Sequence, residues 1–154
     1  MKTAIILVLS LVSFSYALDS KIIETIAIKE THNKTGAVGD LHMKKHSYGK
    51  YQIRQGYLDD VIKLFGKEFK QKFGKAKPTL KEVQWNDEMG KWIVAKYIGY
   101  YGSRYTKITG LPMTPQIAFM IHNGGPDGWK KGDPVYKGAY AYSRQAMSIY
   151  REIS

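Results

Sequence analysis

One carboxylate near the start of the chain has the setting expected of a general acid. Glu30 ends a helical pattern in which Ile23, Ile26 and Ala27 lie seven, four and three residues earlier, roughly on one side of the predicted helix. That side is apolar, and burial among apolar groups raises the pKa of a carboxyl because water no longer stabilises its charge. A carboxyl that keeps its proton toward neutral pH is suited to general acid catalysis. The alternative is a helix-end Glu that turns to solvent.

Hydrophobic periodicity predicts the elements that must position Glu30. A first helix covers Asp19 to about His32, capped by Asp19 or Ser20. Residues 36–49 lack a helical period and are rich in Gly, Lys and His, which predicts loop and short strand, with Tyr51-Gln52-Ile53 closing a small hairpin. A second amphipathic helix is predicted from about Tyr57 to Phe65, followed by a basic connector over Gly66 to Pro78.

Start signals predict the remaining helices. They are the capping-box spacing of Thr79-Leu80-Lys81-Glu82, the cap Asn86, the pair Thr114-Pro115, which leads to a stop at Asn123-Gly124-Gly125-Pro126, and an apolar pattern from about Gly138 to Glu152. The predicted fold class is α+β and mostly helical, with the small β-hairpin after the first helix. Neither repeats nor a linker divide the chain, which predicts a single domain.

Residues 1–17 have the pattern of a cleaved signal peptide. Met1-Lys2 supplies a basic start, Ala4 to Phe14 is apolar except for two serines, and Ser15-Tyr16-Ala17 offers small residues for cleavage. Removal of 17 residues from the 154 leaves a predicted domain of 137, residues 18–154. We therefore expect a secreted, extracellular protein, and a monomer.

Charge and composition limit the classes of partner and cofactor. Removal of Lys2 leaves 23 Lys and Arg against 13 Asp and Glu, a formal charge of +10. Such a cation suits nucleic acid, anionic membrane or an anionic wall polymer. Export makes nucleic acid the least suited, and the lack of one strongly basic amphipathic helix argues against stable membrane insertion. The chain has no Cys, and its four His show no helical i,i+4 pair with a third ligand in view, so neither metal nor other cofactor is expected.

Three segments in order resemble the lysozyme-like superfamily of murein-cleaving enzymes. Glu30 followed by G-A-V-G-D and then by G-K-Y-Q-I (residues 49–53) resembles the lytic transglycosylase and goose-type lysozyme layout. The segment S-Y-G-K-Y-Q-I (47–53) resembles the S-C-G-P-Y-Q-I of invertebrate-type (destabilase-type) lysozymes, and I-H-N-G-G-P-D-G (121–128) resembles their I-H-N-G-G-P-x-G. Tyr48 and Lys50 stand where that group has Cys and Pro, so the chain resembles a divergent, cysteine-free member.

The resemblance implies a lysozyme-like fold and cleavage of the β-1,4 bond between N-acetylmuramic acid and N-acetylglucosamine in peptidoglycan glycan strands. Glu30 would be the general acid. Asp40, the only acid between Glu30 and Ile53, would be nucleophile or electrostatic stabiliser in the invertebrate-type branch. The transglycosylase branch, which leaves 1,6-anhydro products, needs no second carboxylate, and Asp40 would then be a turn residue after Gly39.

The same resemblance implies contacts to the sugar chain from Ser47, Tyr51, Gln52, His122 and Asn123. Three of these have a structural alternative: Tyr51 could alternate into the core with Ile53, and His122-Asn123 with the glycines after it could simply end a helix. Two other classes of protein remain open, a catalytically inactive wall-binding homologue and a cationic membrane-disrupting protein. We expect hydrolysis, because two of the three segments favour the invertebrate-type branch.

Overall fold

A computed structural model describes residues 18–153, so the predicted signal peptide lies outside the described residues. Within that range the elements are α1 (Ser20–Thr31), β1 (Val38–Gly39), β2 (Ser47–Tyr48), α2 (Gln55–Phe73), α3 (Leu80–Trp85), α4 (Asp87–Thr109), α5 (Pro115–Gly124) and α6 (Tyr136–Glu152). The prediction of a mostly helical α+β chain with a small β element after the first helix is confirmed.

The predicted helix starts follow from side chains that accept backbone N–H groups. Asp19 accepts from Lys21 N at 2.9 Å and begins α1. The Thr79 and Glu82 side chains form the predicted capping box of α3. Asn86 and Thr114 begin α4 and α5 in the same way. These local bonds satisfy N–H groups that have no partner within the helix, so these four helices start at or next to the residue that the sequence indicates.

The predicted basic connector over Gly66 to Pro78 is wrong in its first half. Helix α2 continues to Phe73, with a kink at Phe65 (φ −129°, ψ 19°). Phe69 is fully buried, and its ring packs against Trp92 of α4 at 5.5 Å between centroids. This burial outweighs the low helix propensity of Gly66, because tertiary packing supplies most of the stability of helices in proteins.

The hairpin pairs different residues from those expected. Val38 pairs with Tyr48 and Gly39 with Ser47 in an antiparallel ladder. Ile53 joins through a single bridge to Tyr48. Ile53 is 1 % exposed and enters the core, so the Gln52-Ile53 segment attaches the hairpin to the helices.

Helices α4, α5 and α6 enclose most of the core, and α1 packs against both α5 and α6. Fully buried side chains from five of the elements and from the hairpin meet there, including Ile26, Ile53, Leu58, Ile93, Ile98, Phe119 and Ile121. This arrangement places the C-terminal end of α1 beside the middle of α6 and the end of α5. Within residues 18–153, no helix combines the length and the apolar character needed to cross a membrane.

Candidate active site

A cleft of about 840 Å³ opens between the hairpin and the ends of α1, α2, α5 and α6. Six of the seven predicted site residues line it: Glu30, Asp40, Ser47, Gln52, His122 and Asn123. Three tyrosines that the sequence did not single out as site residues line it too: Tyr57, Tyr97 and Tyr142. The structure thus brings together side chains from both ends of the chain.

Glu30 does not turn to solvent. Its side chain is 19 % exposed, and the Tyr142 hydroxyl donates to Glu30 Oε1 at 2.8 Å. His122 Nε2 lies 3.4 Å from the same oxygen. The carboxyl is therefore held at the wall of the cleft by the Tyr142 hydroxyl, and His122 Nε2 approaches the same oxygen at a distance that is long for a hydrogen bond.

His122 lines the cleft but is almost completely covered by its neighbours. Its side chain is 4 % exposed, and its Nδ1 is 3.2 Å from the Tyr57 hydroxyl. The Tyr57 ring stacks on Tyr97 with centroids 3.6 Å apart and an interplanar angle of 17°. Both ring nitrogens of His122 are thus engaged by protein groups, and a sugar hydroxyl would have to displace one of them.

The pKa of Glu30 moves in the opposite direction from the sequence-based prediction. Burial is the largest single influence and raises the pKa as expected, but donors and cations together outweigh it. The pKa of Glu30 falls below its ordinary value because of His122, as a donor and through its charge when it is protonated, the Tyr142 hydroxyl and the charge of Lys29. The prediction was wrong because the apolar face of α1 is only part of the surroundings of Glu30; α5 and α6 supply polar partners.

The tyrosines around Glu30 remain hydrogen-bond donors. Burial raises the pKa of Tyr142, and the charge of Glu30 and its hydrogen bond raise it further. Burial likewise raises the pKa of Tyr57 well above its usual value. A buried tyrosine needs a partner for its hydroxyl, and this requirement is the signal that could have distinguished these residues from the apolar stripes on α2 and α6.

Asp40 lies in the cleft and is paired with a cation. Its Oδ2 accepts from Arg54 Nη2 at 2.8 Å and from Arg54 Nε at 3.1 Å. Burial raises the pKa of Asp40, but the hydrogen bonds and the charge of Arg54 outweigh it, so the pKa is lowered. Asp40 also begins a turn, with φ 55° and a bond from Met43 N to its carbonyl oxygen at 2.8 Å. Both sequence-based alternatives, a second carboxylate in the cleft and a turn residue, therefore describe its position.

Ser47 and Gln52 brace the hairpin where it borders the cleft. Ser47 Oγ donates to Gln52 Oε1 at 2.5 Å, and Gln52 Nε2 donates to the Gly49 carbonyl at 3.0 Å. The Gln52 side chain covers Gly39, where an added Cβ would lie 1.8 Å from Gln52 Oε1. The amide of Gln52 is thus occupied within the protein, and its first effect is on the shape of the hairpin.

Tyr51 is placed away from the cleft. Its side chain is 7 % exposed and packs over Gly90, where an added Cβ would be 2.9 Å from the ring. It lines a smaller pocket, which Ile23, Glu24 and Ala27 of α1 also line. The alternative, in which Tyr51 alternates into the core, describes the structure, because Tyr51 and Ile53 both pack against the helices and Gln52 between them faces the cleft.

The I-H-N-G-G-P-D-G segment ends α5 and holds it close to α6. An added Cβ would lie 2.7 Å from Ala139 Cβ at Gly124, and 2.5 Å from the Met120 carbonyl oxygen at Gly128. Gly125, with φ 79°, is the C-cap of α5. The glycines therefore have a structural reason, and Asn123 next to them still borders the cleft.

Among the described residues, 18–153, no group of three or more His, Cys, Asp or Glu side chains has the arrangement of a metal site. In comparisons with known proteins, no family model matches the chain, and no curated protein matches it either.

Proposed function

We propose that the protein is a secreted lysozyme-like glycosidase, with a lysozyme-like fold, that cleaves the β-1,4 bond between N-acetylmuramic acid and N-acetylglucosamine in bacterial peptidoglycan. The observation that carries the proposal is the position of Glu30, a largely buried carboxyl with donors on one oxygen at the wall of a cleft that also contains Asp40. Two carboxyls of different environment beside one cleft are the minimum set for glycosidic hydrolysis.

In the proposed reaction Glu30 is the general acid. Its proton goes to the glycosidic oxygen as the bond from that oxygen to C1 breaks, and positive charge develops on the sugar ring. Asp40, held ionised by Arg54, stabilises that charge or bonds to C1. A water molecule then attacks C1, displacing the Asp40 carboxylate where it has bonded there, and the proton of that water goes to the Glu30 carboxylate. The product carries a reducing end.

The lowered pKa of Glu30 makes the free enzyme an acid-optimum enzyme. A general acid must be protonated to act, so kcat/KM falls as the pH rises through the pKa of Glu30 in the free enzyme. Bound glycan excludes water from the cleft and thereby moves that pKa upward again. In the pH–rate profiles, kcat is therefore expected to fall at a higher pH than kcat/KM.

A lytic transglycosylase is a second candidate, and the Asp40–Arg54 pair favours it. Both Arg54 bonds fall on Asp40 Oδ2, and a carboxylate neutralised in this way is a weaker nucleophile and a weaker stabiliser of a cationic sugar. The 6-hydroxyl of the substrate would then attack C1, leaving a 1,6-anhydro end. We favour the hydrolase, because Asp40 lines the same cleft as Glu30.

The charge of the chain fits an anionic wall polymer as partner. The cleft is bordered by Lys29, Lys45 and Arg54. The surroundings of Glu30 are therefore rich in cations, as is the whole chain. A polyanionic wall raises the local concentration of such a protein by long-range attraction. An inactive wall-binding homologue would share this property, and turnover separates the two.

The test is mass spectrometry of muropeptides released from purified peptidoglycan, with Asp40→Asn compared with the control Asp59→Asn. Asp59 is an exposed acid of α2 paired with Lys77. The hydrolase is expected to yield reducing ends and to lose most of its rate on Asp40→Asn but not on Asp59→Asn. Anhydro ends from an Asp40→Asn enzyme of near wild-type rate would establish the transglycosylase. Binding to wall without any product would leave only the inactive homologue.

A further inference from the structure

The tautomer of His122 follows from its two neighbours. The Tyr57 hydroxyl is buried and protonated and lies 3.2 Å from Nδ1. When that hydroxyl donates to Nδ1, a neutral imidazole must carry its proton on Nε2. Nε2 is the nitrogen that lies 3.4 Å from Glu30 Oε1. The stack of Tyr57 on Tyr97 fixes the tyrosine in this position.

Both donors to Glu30 reach the same oxygen. The Tyr142 hydroxyl donates to Oε1 at 2.8 Å, and His122 Nε2 faces Oε1 as well. A protonated carboxyl has one carbonyl oxygen, which accepts hydrogen bonds, and one hydroxyl oxygen, which donates. Two donors at Oε1 therefore favour the carbonyl there and the hydroxyl at Oε2.

We propose that His122 is a positioning residue which, oriented by Tyr57, donates to Glu30 Oε1 and so assigns the transferable proton to Oε2. The inference rests on the proposed role of Glu30 as the acid. The proton leaves Oε2 for the glycosidic oxygen, and the electron pair of the breaking bond to C1 stays on that oxygen. The new carboxylate charge is stabilised at Oε1 by His122 and Tyr142, and the proton of the attacking hydroxyl or water returns to Oε2.

Other titratable and charged groups surround Glu30, and among the described residues Tyr142 is the one that shares the Oε1 position with His122. The groups contributed by helices are Lys29 from α1, Tyr57 from α2, Tyr97 from α4 and Tyr142 from α6, and the hairpin region contributes Asp40, Lys45 and Arg54. Lys29 lies 5.1 Å from the Tyr142 ring centroid and acts on Glu30 through its charge. Arg54 is engaged by Asp40. Removal of His122 takes a donor from Oε1 and leaves these charges in place.

The first experiment compares pH–rate profiles of wild type, His122→Leu and His122→Gln. Leucine removes the donor, and glutamine restores an N–H near the position of Nε2 without a titrating ring. For His122→Leu the alkaline limb of kcat/KM is expected to move to higher pH by about one unit, because one charge-assisted hydrogen bond is lost. KM is expected to stay within about threefold, since His122 is almost completely covered by its neighbours, and His122→Gln is expected to follow the wild type. Identical profiles for the leucine and glutamine variants would overturn the proposal.

The second experiment does not depend on turnover. Glutamate labelled with ¹³C at Cδ is titrated by NMR in the free protein, with Glu30→Gln to assign the resonance. The Glu30 carboxyl is expected to titrate at higher pH in His122→Leu than in wild type, and in the same direction in Tyr57→Phe, which keeps the ring stack and removes only the hydroxyl. Tyr57→Phe serves alone if the leucine variant does not fold. An unchanged titration of the Glu30 carboxyl refutes the proposed action of Tyr57 and His122 on Glu30. A shifted titration of Glu30 in a protein without wall-lytic activity would uphold the positioning role of His122 and reject the proposed glycosidase activity.

Discussion

Replacement of Glu30 by Gln is the perturbation for which the structure gives the clearest expectation. The amide has nearly the shape of the carboxyl, and its carbonyl oxygen can take the place of Oε1, where it accepts from Tyr142 and His122. Its NH₂ group then occupies the place of Oε2 at the cleft. An amide N–H does not ionise in the range in which enzymes work, so the variant keeps the shape of the site and has no proton to transfer.

The expected loss of rate is about 10²- to 10⁴-fold, which is the usual contribution of a general acid and corresponds to about 3–5 kcal/mol of transition-state free energy. The expected change in stability is small. The contacts from Tyr142 and His122 then go to a neutral amide oxygen instead of a carboxylate, which costs about 1 kcal/mol each. Removal of the largely buried Glu30 charge lowers the cost of desolvation by about the same total amount. The net change in unfolding free energy should stay within about 1 kcal/mol, or about 4 °C in Tm.

The assay is clearance of a bacterial wall suspension at acidic pH, with thermal unfolding measured by circular dichroism on the same samples. Glu24→Gln is the matched control, because Glu24 is an exposed acid of the same helix and does not line the cleft. A Glu30→Gln protein that clears the suspension at close to the wild-type rate would refute the assignment of the acid. Loss of rate together with a large drop in Tm would refute the structural part of the reasoning.

Three further expectations concern the whole molecule. In the folded protein the pKa is lowered for the carboxyls of Glu30, Asp40 and Asp87, and to about 2 for that of Glu82. The stability that these groups contribute is therefore present above their unfolded pKa values of about 4 and is lost as the pH falls through the folded values. Tm should be flat from pH 7 to about 5 and fall steeply below 4, and a Tm that rises on acidification contradicts this. Lysis of whole cells should decrease between 0.1 M and 1 M salt as the Debye length shrinks from about 10 Å to about 3 Å, whereas turnover of a short neutral chito-oligosaccharide should change little, and equal sensitivity of both would exclude long-range charge as the cause. Gly128→Ala should destabilise the fold by about 1–3 kcal/mol, because its Cβ would lie 2.5 Å from the Met120 carbonyl oxygen. Gly99→Ala should stabilise the fold by about 0.5–1 kcal/mol, because there is open space at that position of α4. Denaturant titration of both variants tests whether the unfolding free energy changes in these opposite directions.

Local signals in the sequence predict the fold better than they predict the site. The side chains of Asp19, Thr79, Asn86 and Thr114 begin helices because capping acts within three residues, and it can be recognised in sequence. The second half of α2 was missed because Phe69 is stabilised by Trp92 on α4, a contact between residues distant in sequence.

The candidate site shows the same division. Glu30 could be found from the apolar face of its own helix, but the direction of its pKa shift depends on His122 and Tyr142, which come from helices far along the chain. The sequence predicts a substrate contact for His122, but it does not reveal that the two ring nitrogens face Tyr57 and Glu30, because that pairing is a property of tertiary packing. Tyr142 carried no distinguishing pattern at all within α6.

The hydrogen bond from Tyr142 to Glu30 joins residues 112 positions apart, the first helix to the last. A chain still being synthesised therefore has no assembled site until α6 has emerged, since its acid is made in the first fifth of the protein and waits for a partner near the end. Any product truncated before residue 142 has Glu30 on a helix without that hydroxyl and without the α6 surface against which α1 packs. Completeness of translation is thus a condition for the site to exist.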